Sequence, residues 1–392
     1  MKRGLAALAT GAFALGFAEF VMMGILPVVA SGLNVTEAWA GNFISLYAIG
    51  VCAGAVILVL GRRVPPRTLL VALMVLCLVG NVLAAISGDA NMLLVARFIS
   101  GMPHGAYFGT ATLAAKMIAE PGREGRAVAG MVLGQTLANT LGVPAGTLLA
   151  SLVSWHAAFA FAAICAIAAI ALIMRWVPQL DPIPDAGLLG QFRFLSKPGP
   201  WLVIIAVLLG NTGIFCWWSY VSPWLTSVAG FSAVAIPAML VLAGAGMVVG
   251  VQAGGRLGDV FTPGSVAAAG QLAAAVALGF IALGIGSPVM SAALMFLCAG
   301  CMFFVSGPQQ VLMVEAGEGG GELLAGACVQ IAFNGGNALG AQVGQAVLNT
   351  GAAYGMTGLA GVPFSLVAAA LLALFAWKFE RAQHERAVGR AH

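Results

Sequence analysis

Charge is what this chain has least of. Only 8% of its 392 residues are Asp, Glu, Lys or Arg, and 61% are hydrophobic. A soluble domain carries about 25% charged residues, so the shortage excludes a fold bathed in water on every side. Inside the apolar runs Glu19 is the sole acid and His104 the sole histidine. That argues against a membrane-embedded enzyme such as a lipid-modifying transferase, which needs clustered acids for metal or phosphate, or a Ser/His/Asp set. No Gly-x-x-x-x-Gly-Lys-Ser/Thr loop occurs either, leaving an ion gradient as the energy source for any work done.

What is there is a series of twelve apolar runs, at 5–29, 38–60, 68–87, 92–115, 127–153, 157–174, 200–228, 233–254, 265–286, 289–314, 323–348 and 357–377. About 20 such residues cross a bilayer. Backbone polar groups in lipid must pair within their own segment, so the runs read as helices. Abundant Gly and Ala let such helices pack closely. The first run, behind Lys2 and Arg3, is too long for a signal-peptide core and holds an acid, so it reads as a retained span.

Basic residues set the orientation. Arg62, Arg63, Arg67, Lys116, Arg123, Arg126, Arg175, Arg193, Lys197, Arg256 and Lys378 fall on one side with both termini, while the opposite loops hold Glu37, Asp89 and His156 but no Lys or Arg. Both termini are therefore expected in the cytoplasm. The net charge of +4 reflects this bias and implies no nucleic-acid partner. All seven cysteines lie in runs, and the Cys298/Cys301 pair has no His or second pair beside it. Small apolar packing is the expectation there, not metal or redox chemistry.

The Pro-rich stretch Pro178–Pro200 divides six runs from six. It predicts a six-helix bundle over 1–177, a cytoplasmic linker over 178–199 with a short surface helix near Leu188–Leu195, and a second bundle over 200–392. Asn139, Leu141, Gly142 and Gly146 recur as Asn337, Leu339, Gly340 and Gly344 at a constant offset of 198, as two parallel repeats would give. The same offset sets Glu19 against Trp217, so the chemistry is asymmetric.

A carboxylate near the middle of a span costs roughly 2.5–3.5 kcal/mol on insertion scales, which makes Glu19 a candidate proton carrier. Arg97 is the only cation placed well inside a run, although at about five residues in it could instead snorkel to the interface. His104 lies seven residues on, on the same helical face and about 10 Å deeper. Gln135, Asn139, Asn211, Gln330, Asn334 and Asn337 place amides at membrane depth, and Trp217, Trp218 and Tyr220 with Met22 and Met23 add apolar lining, a pattern suited to a small ligand. Packing between helices is the competing role for each amide. Trp201 and Trp224, near span ends, are expected in the interfacial belt.

These motifs resemble the major facilitator superfamily, and within it the twelve-span drug:proton antiporter branch and its arabinose-efflux-permease-like proteins. The likeness rests on Glu19-Phe20 with Gly24, Leu26 and Pro27 in span 1, and on Arg97 through Gly101 followed by Pro103-His104-Gly105 in span 4. Gly134 and Gly142-Val143-Pro144-Ala145-Gly146 in span 5, Ser219 to Leu225 in span 7 and Phe333 to Gly340 in span 11 complete it. It implies twelve helices in two six-helix pseudo-repeats around a central cavity. The function implied is proton-coupled efflux of a drug, sugar or nucleoside-like compound by a cofactor-free monomer in a bacterial inner membrane. A facilitator or proton symporter for uptake is the alternative, against which the Gly-Pro element of span 5 argues mildly. The resemblance also places spans 1 and 4 on the cavity, where Glu19 could meet Arg97 or His104. It assigns gating to Gly61, Arg62, Gly255, Arg256 and Asp259, while Pro144 is expected to bend span 5. Two departures stand out. The loop after span 2, Gly61 to Arg67, lacks the usual Asp that Asp259 supplies after span 8, and His156 replaces an expected Arg after Trp155.

Overall fold

A computed structural model of the chain describes residues 2–120, 124–180, 193–284, 287–316 and 322–380, and among them no strand forms. The helices are α1 Lys2–Gly32, α2 Glu37–Leu60, α3 Pro66–Ala85, α4 Ala90–Gly101, α5 Pro103–Ile118, α6 Glu124–Leu137, α7 Val143–Leu152, α8 Trp155–Trp176, α9 Pro198–Trp218, α10 Val221–Ser227, α11 Ile236–Val260, α12 Pro263–Ala282, α13 Pro288–Phe304, α14 Ser306–Ala316, α15 Glu322–Asn349 and α16 Met356–Phe375. Paired as α4/α5, α6/α7, α9/α10 and α13/α14, they make the twelve expected spans.

Each pair breaks near a proline. Proline lacks the amide hydrogen of its turn, and its ring crowds the carbonyl four residues back. Pro103 sits just past the break at Met102, Pro223 just past Ser219-Tyr220, and Pro308 just past Val305. In span 5 the chain answers Pro144 with a π turn over Ala138–Gly142, in which the Val143 N–H donates to the Ala138 carbonyl five residues back. Helix starts are capped by side chains: Thr36 accepts from Trp39 N at 3.1 Å, Asp89 from Asn91 N at 2.8 Å, and Ser154 from Ala157 N at 3.3 Å. Each such cap is worth about 1 kcal/mol.

Among the described residues nine helical stretches are long and apolar enough to cross a membrane. Spans 4, 5 and 11 fall short of that, and these carry Arg97 and His104, Gln135 and Asn139, and Gln330, Asn334 and Asn337.

Packing groups the chain into two compact units, one of Met1–Asp185 with Ser219–Gly244, the other of Ala186–Trp218 with Ala245–His392. In the first, α1 is the central element and is buried along most of its length. Backbones approach closely where α2 meets α4: a Cβ on Gly101 would collide with the Tyr47 carbonyl, and one on Gly50 with the Phe98 carbonyl. In the second, α9 packs against α15 and α16 over a core of Val203, Val207, Leu324, Val329 and Leu372.

Two expectations change. Gly255–Asp259 was expected in a loop after span 8 but lies on the last turns of α11, which runs on to Val260. The close approach is made one residue earlier, where a Cβ on Gly254 would meet the Phe304 carbonyl, while Gly255 is exposed with open space around it. Trp224 is not an interfacial belt residue but is buried to 1% exposure, because α10 folds inward after Pro223. Trp201, 48% exposed, keeps a surface position and donates to Leu195 O at 2.8 Å. Of the linker helix near Leu188–Leu195, residues 188–192 lie outside the described residues, and Arg193–Ser196 form one 3-10 turn.

Candidate functional site

The chemistry of the first unit gathers where α1, α2, α4 and α5 meet. Glu19 is 3% exposed on α1, and its Oε2 lies 3.5 Å from His104 Nε2, itself 1% exposed on α5. The other ring nitrogen, Nδ1, is 2.9 Å from the Tyr47 hydroxyl on α2, and that hydroxyl is also 3.3 Å from Leu15 O on α1. Phe108 stacks on the imidazole at 5.0 Å, and the Tyr47 ring meets it edge-on. The ring is thus held on both edges and one face.

Arg97 does not snorkel. It is fully buried, and its guanidinium donates to main-chain carbonyls: Nη1 to Ala18 O at 2.6 Å, Nε to Phe43 O at 3.2 Å, and Nη2 to Glu19 O at a long 3.5 Å. It also lies over the Tyr47 ring, 4.3 Å from the centroid. Of the two partners expected for the Glu19 carboxylate, His104 is the one at ion-pair distance, while Arg97 grips the backbone of the same turn. The Met102 break between α4 and α5 separates the two basic residues by one irregular step. The spacing Gly101/Gly50 brings α4 near enough to α2 for Arg97 to reach Phe43 O.

A second polar contact closes around Pro27. That proline leaves the Met23 carbonyl without its helical donor. Ser222 of α10 supplies one, donating to Met23 O at 2.6 Å and lying 3.1 Å from Gly24 O. Met22 and Met23 are buried there. Tyr220, expected as ligand lining, donates to Ala38 O at 3.2 Å, at the start of α2.

The amides divide between the units. In the first, Asn139 is 4% exposed on the π turn ahead of Pro144, and Gln135 is half-buried one turn earlier. In the second, Asn211 donates to Val207 O at 2.8 Å and Asn334 to Gln330 O at 3.0 Å, each along its own helix. Asn337, Trp217 and Trp218 are buried in this unit, with the two indoles 5.8 Å apart. Gln330 is half-buried. Among the expected gating residues, Gly61 opens a 3-10 turn closed by Val64 N to Gly61 O, and Arg256 is exposed. The side chains of Arg62 and Asp259 lie outside the described residues. His156 Nε2 donates to Ser87 O at 3.1 Å, and the ring stacks on Trp155.

Sequence reasoning missed Tyr47 and gave no role to Ser222. A tyrosine near the middle of span 2 carries a hydroxyl that needs a partner at membrane depth, and Ser222 follows the Pro27 signal only once the fold is known.

These features define a multi-pass helical membrane protein whose polar chemistry is buried among its helices. The Major Facilitator Superfamily model matches residues 8–341, and the chain belongs to that family of transporters. It is 38% identical over 384 residues to the putative transporter AraJ of Escherichia coli K12, covering 98% of this chain and 97% of that protein. It is 29% identical over 378 residues to a chloramphenicol resistance protein of Streptomyces lividans, covering 95% of each. In three dimensions it resembles a bacterial homologue of the human lysosomal transporter Spinster, crystallised inward-facing and unoccupied, with a TM-score of 0.76 over 96% of this chain and 97% of that one at 17% identity.

Proposed function

We propose that this transporter exports small organic molecules in exchange for protons, by alternating access, as a single chain in a bacterial inner membrane with both termini cytoplasmic. The observation that carries the reading is the buried Glu19–His104 contact, a carboxylate and an imidazole that together hold or release one proton beside the turn that Arg97 grips. Burial disfavours charge and a paired partner favours it, so such a pair responds to which side of the membrane it faces. A relative named for chloramphenicol resistance supports export and an uncharged, partly aromatic cargo. Met22, Met23, Gln135, Asn139, Asn211, Trp217, Trp218, Tyr220, Gln330, Asn334 and Asn337 are the proposed cargo contacts. Gating falls to Gly61 and Arg62, the flexure at Pro144, and Gly255, Arg256 and Asp259.

The test is transport by reconstituted protein under an imposed pH gradient, with chloramphenicol as first probe and then binders selected from drugs, sugars and nucleosides by thermal shift. Glu19→Gln is expected to abolish gradient-driven transport and spare exchange. Gradient-driven transport at the unaltered rate in that variant would overturn proton coupling.

A further inference from the structure

We infer that Tyr47 is a positioning residue whose hydroxyl hydrogen switches between His104 Nδ1 and the Leu15 carbonyl as the Glu19–His104 pair loses and gains its proton. The inference rests on the proton-coupled reading above and adds how that proton is communicated to α2. A phenol has one hydrogen and two neighbours here, Nδ1 at 2.9 Å and Leu15 O at 3.3 Å, and at 1% exposure no bulk water stands in for either.

The hydrogen inventory fixes the two arrangements. With one proton on the pair, His104 is neutral: Nε2–H faces the Glu19 carboxylate, Nδ1 is a bare acceptor, and Tyr47 donates to it. Add one proton. If the imidazole takes it, both ring nitrogens carry hydrogen and Nδ1–H donates to the Tyr47 oxygen. If the carboxyl holds it and donates to Nε2, the neutral ring must carry its hydrogen on Nδ1, with the same result. Either way the hydroxyl can no longer donate to Nδ1, and its hydrogen turns to Leu15 O. One N–H or O–H bond is gained and none is lost.

Leu15 lies four residues before Glu19, so its carbonyl is the helical acceptor one turn below the acid. Protonation therefore adds a hydrogen bond between α2 and the α1 turn that carries Glu19, and deprotonation removes it. Phe108 and the Tyr47 ring edge keep the imidazole from turning away. The other titratable groups facing Tyr47 are Arg97 of α4, whose guanidinium lies over its ring, and the Cys77 thiol of α3. On α5, Tyr107 is tied to Leu8 O at 2.9 Å.

The experiment needs no cargo. The full chain in lipid is titrated by infrared difference spectroscopy, with ring-labelled tyrosine marking the phenol C–O band. The protonated state of the unaltered protein has two hydrogen bonds at Tyr47 and the deprotonated state one, so Tyr47→Phe weakens the protonated state more. Its titration midpoint should fall by about one pH unit, a tenfold loss of proton affinity. Phe keeps the ring over Arg97, so the fold is retained. A tyrosine band that moves with the carboxyl or imidazole signal in the unaltered protein, and is lost in Tyr47→Phe, is the expected second readout. A tyrosine band that stays still through the titration overturns the switch, even if Tyr47→Phe fails to fold. An unchanged midpoint in a folded Tyr47→Phe does the same, while normal gradient-driven transport in Glu19→Gln would instead defeat the coupling reading beneath it.

Discussion

Removing the Arg97 side chain should loosen the first unit as a structural event, beyond any effect on charge. The guanidinium joins α4 to α1 through Ala18 O at 2.6 Å and to α2 through Phe43 O at 3.2 Å, and covers the Tyr47 ring at 4.3 Å. Hydrogen bonds from a charged donor are worth about 1.5–3 kcal/mol each, and a desolvated cation–π contact about 2 kcal/mol. Against these stands the cost of holding a cation away from water, which truncation relieves. Truncation leaves buried carbonyls short of a donor, at about 1–3 kcal/mol each, and Arg97→Ala should cost about 2–5 kcal/mol in all. Arg97→Lys should recover less than half. An ammonium presents its three donors at one point and cannot bridge carbonyls set on two helices. The assay is thermal unfolding in detergent at a fixed scan rate, since unfolding of such proteins is commonly irreversible. A drop of several degrees for Arg97→Ala, with Arg97→Lys between, is the expected order. An unchanged melting temperature with a shifted pH profile of transport would refute the stitching argument and make Arg97 an electrostatic partner of Glu19.

Two further variants test the packing that places the site. Gly101→Leu should separate α2 from α4, because even a Cβ would collide with the Tyr47 carbonyl; stability and transport should both fall further than in Arg97→Ala, as melting and proteoliposome assays would show. Ser222→Ala should cost about 1–3 kcal/mol by orphaning the Met23 carbonyl, and Pro27→Ala in the same chain should rescue it by restoring the amide hydrogen, a coupling read from a double-mutant melting series.

The spans were legible because lipid imposes one rule on every segment, apolar and about 20 residues long. Glu19 was legible for the same reason, as the one acid breaking that rule. What the pattern could not give was pairing. Tyr47 and His104 are separated by 57 residues, and nothing periodic links them; their contact follows from how Gly101 lets two helices touch. Counted along a single helix, the depth of Arg97 allows it to snorkel to the interface. The structure sets it against α1 and α2, whose carbonyls replace the interface. Gly255–Asp259 reads as loop because glycine and charge end the apolar run at 254, whereas the helix continues past them to Val260.

Spans 4, 5 and 11, which fall short of the apolar criterion, are broken by proline or enriched in amides, and they carry most of the residues singled out by their chemistry. The coincidence has a physical cause. A residue such as Arg97 or Asn139 can be kept in a span only if protein groups replace water around it. Those groups come from carbonyls that proline or glycine has exposed, or from helices that glycine has allowed to approach. Ser222 meeting the carbonyl that Pro27 orphans follows this logic, as does Arg97 reaching Phe43 O over the Gly101 contact. The low apolarity of a span and the irregularity of its helix are then two sides of one requirement. Where both occur together in a chain this poor in charge, the polar residues present mark the place where the membrane's usual exclusion of charge has been relaxed.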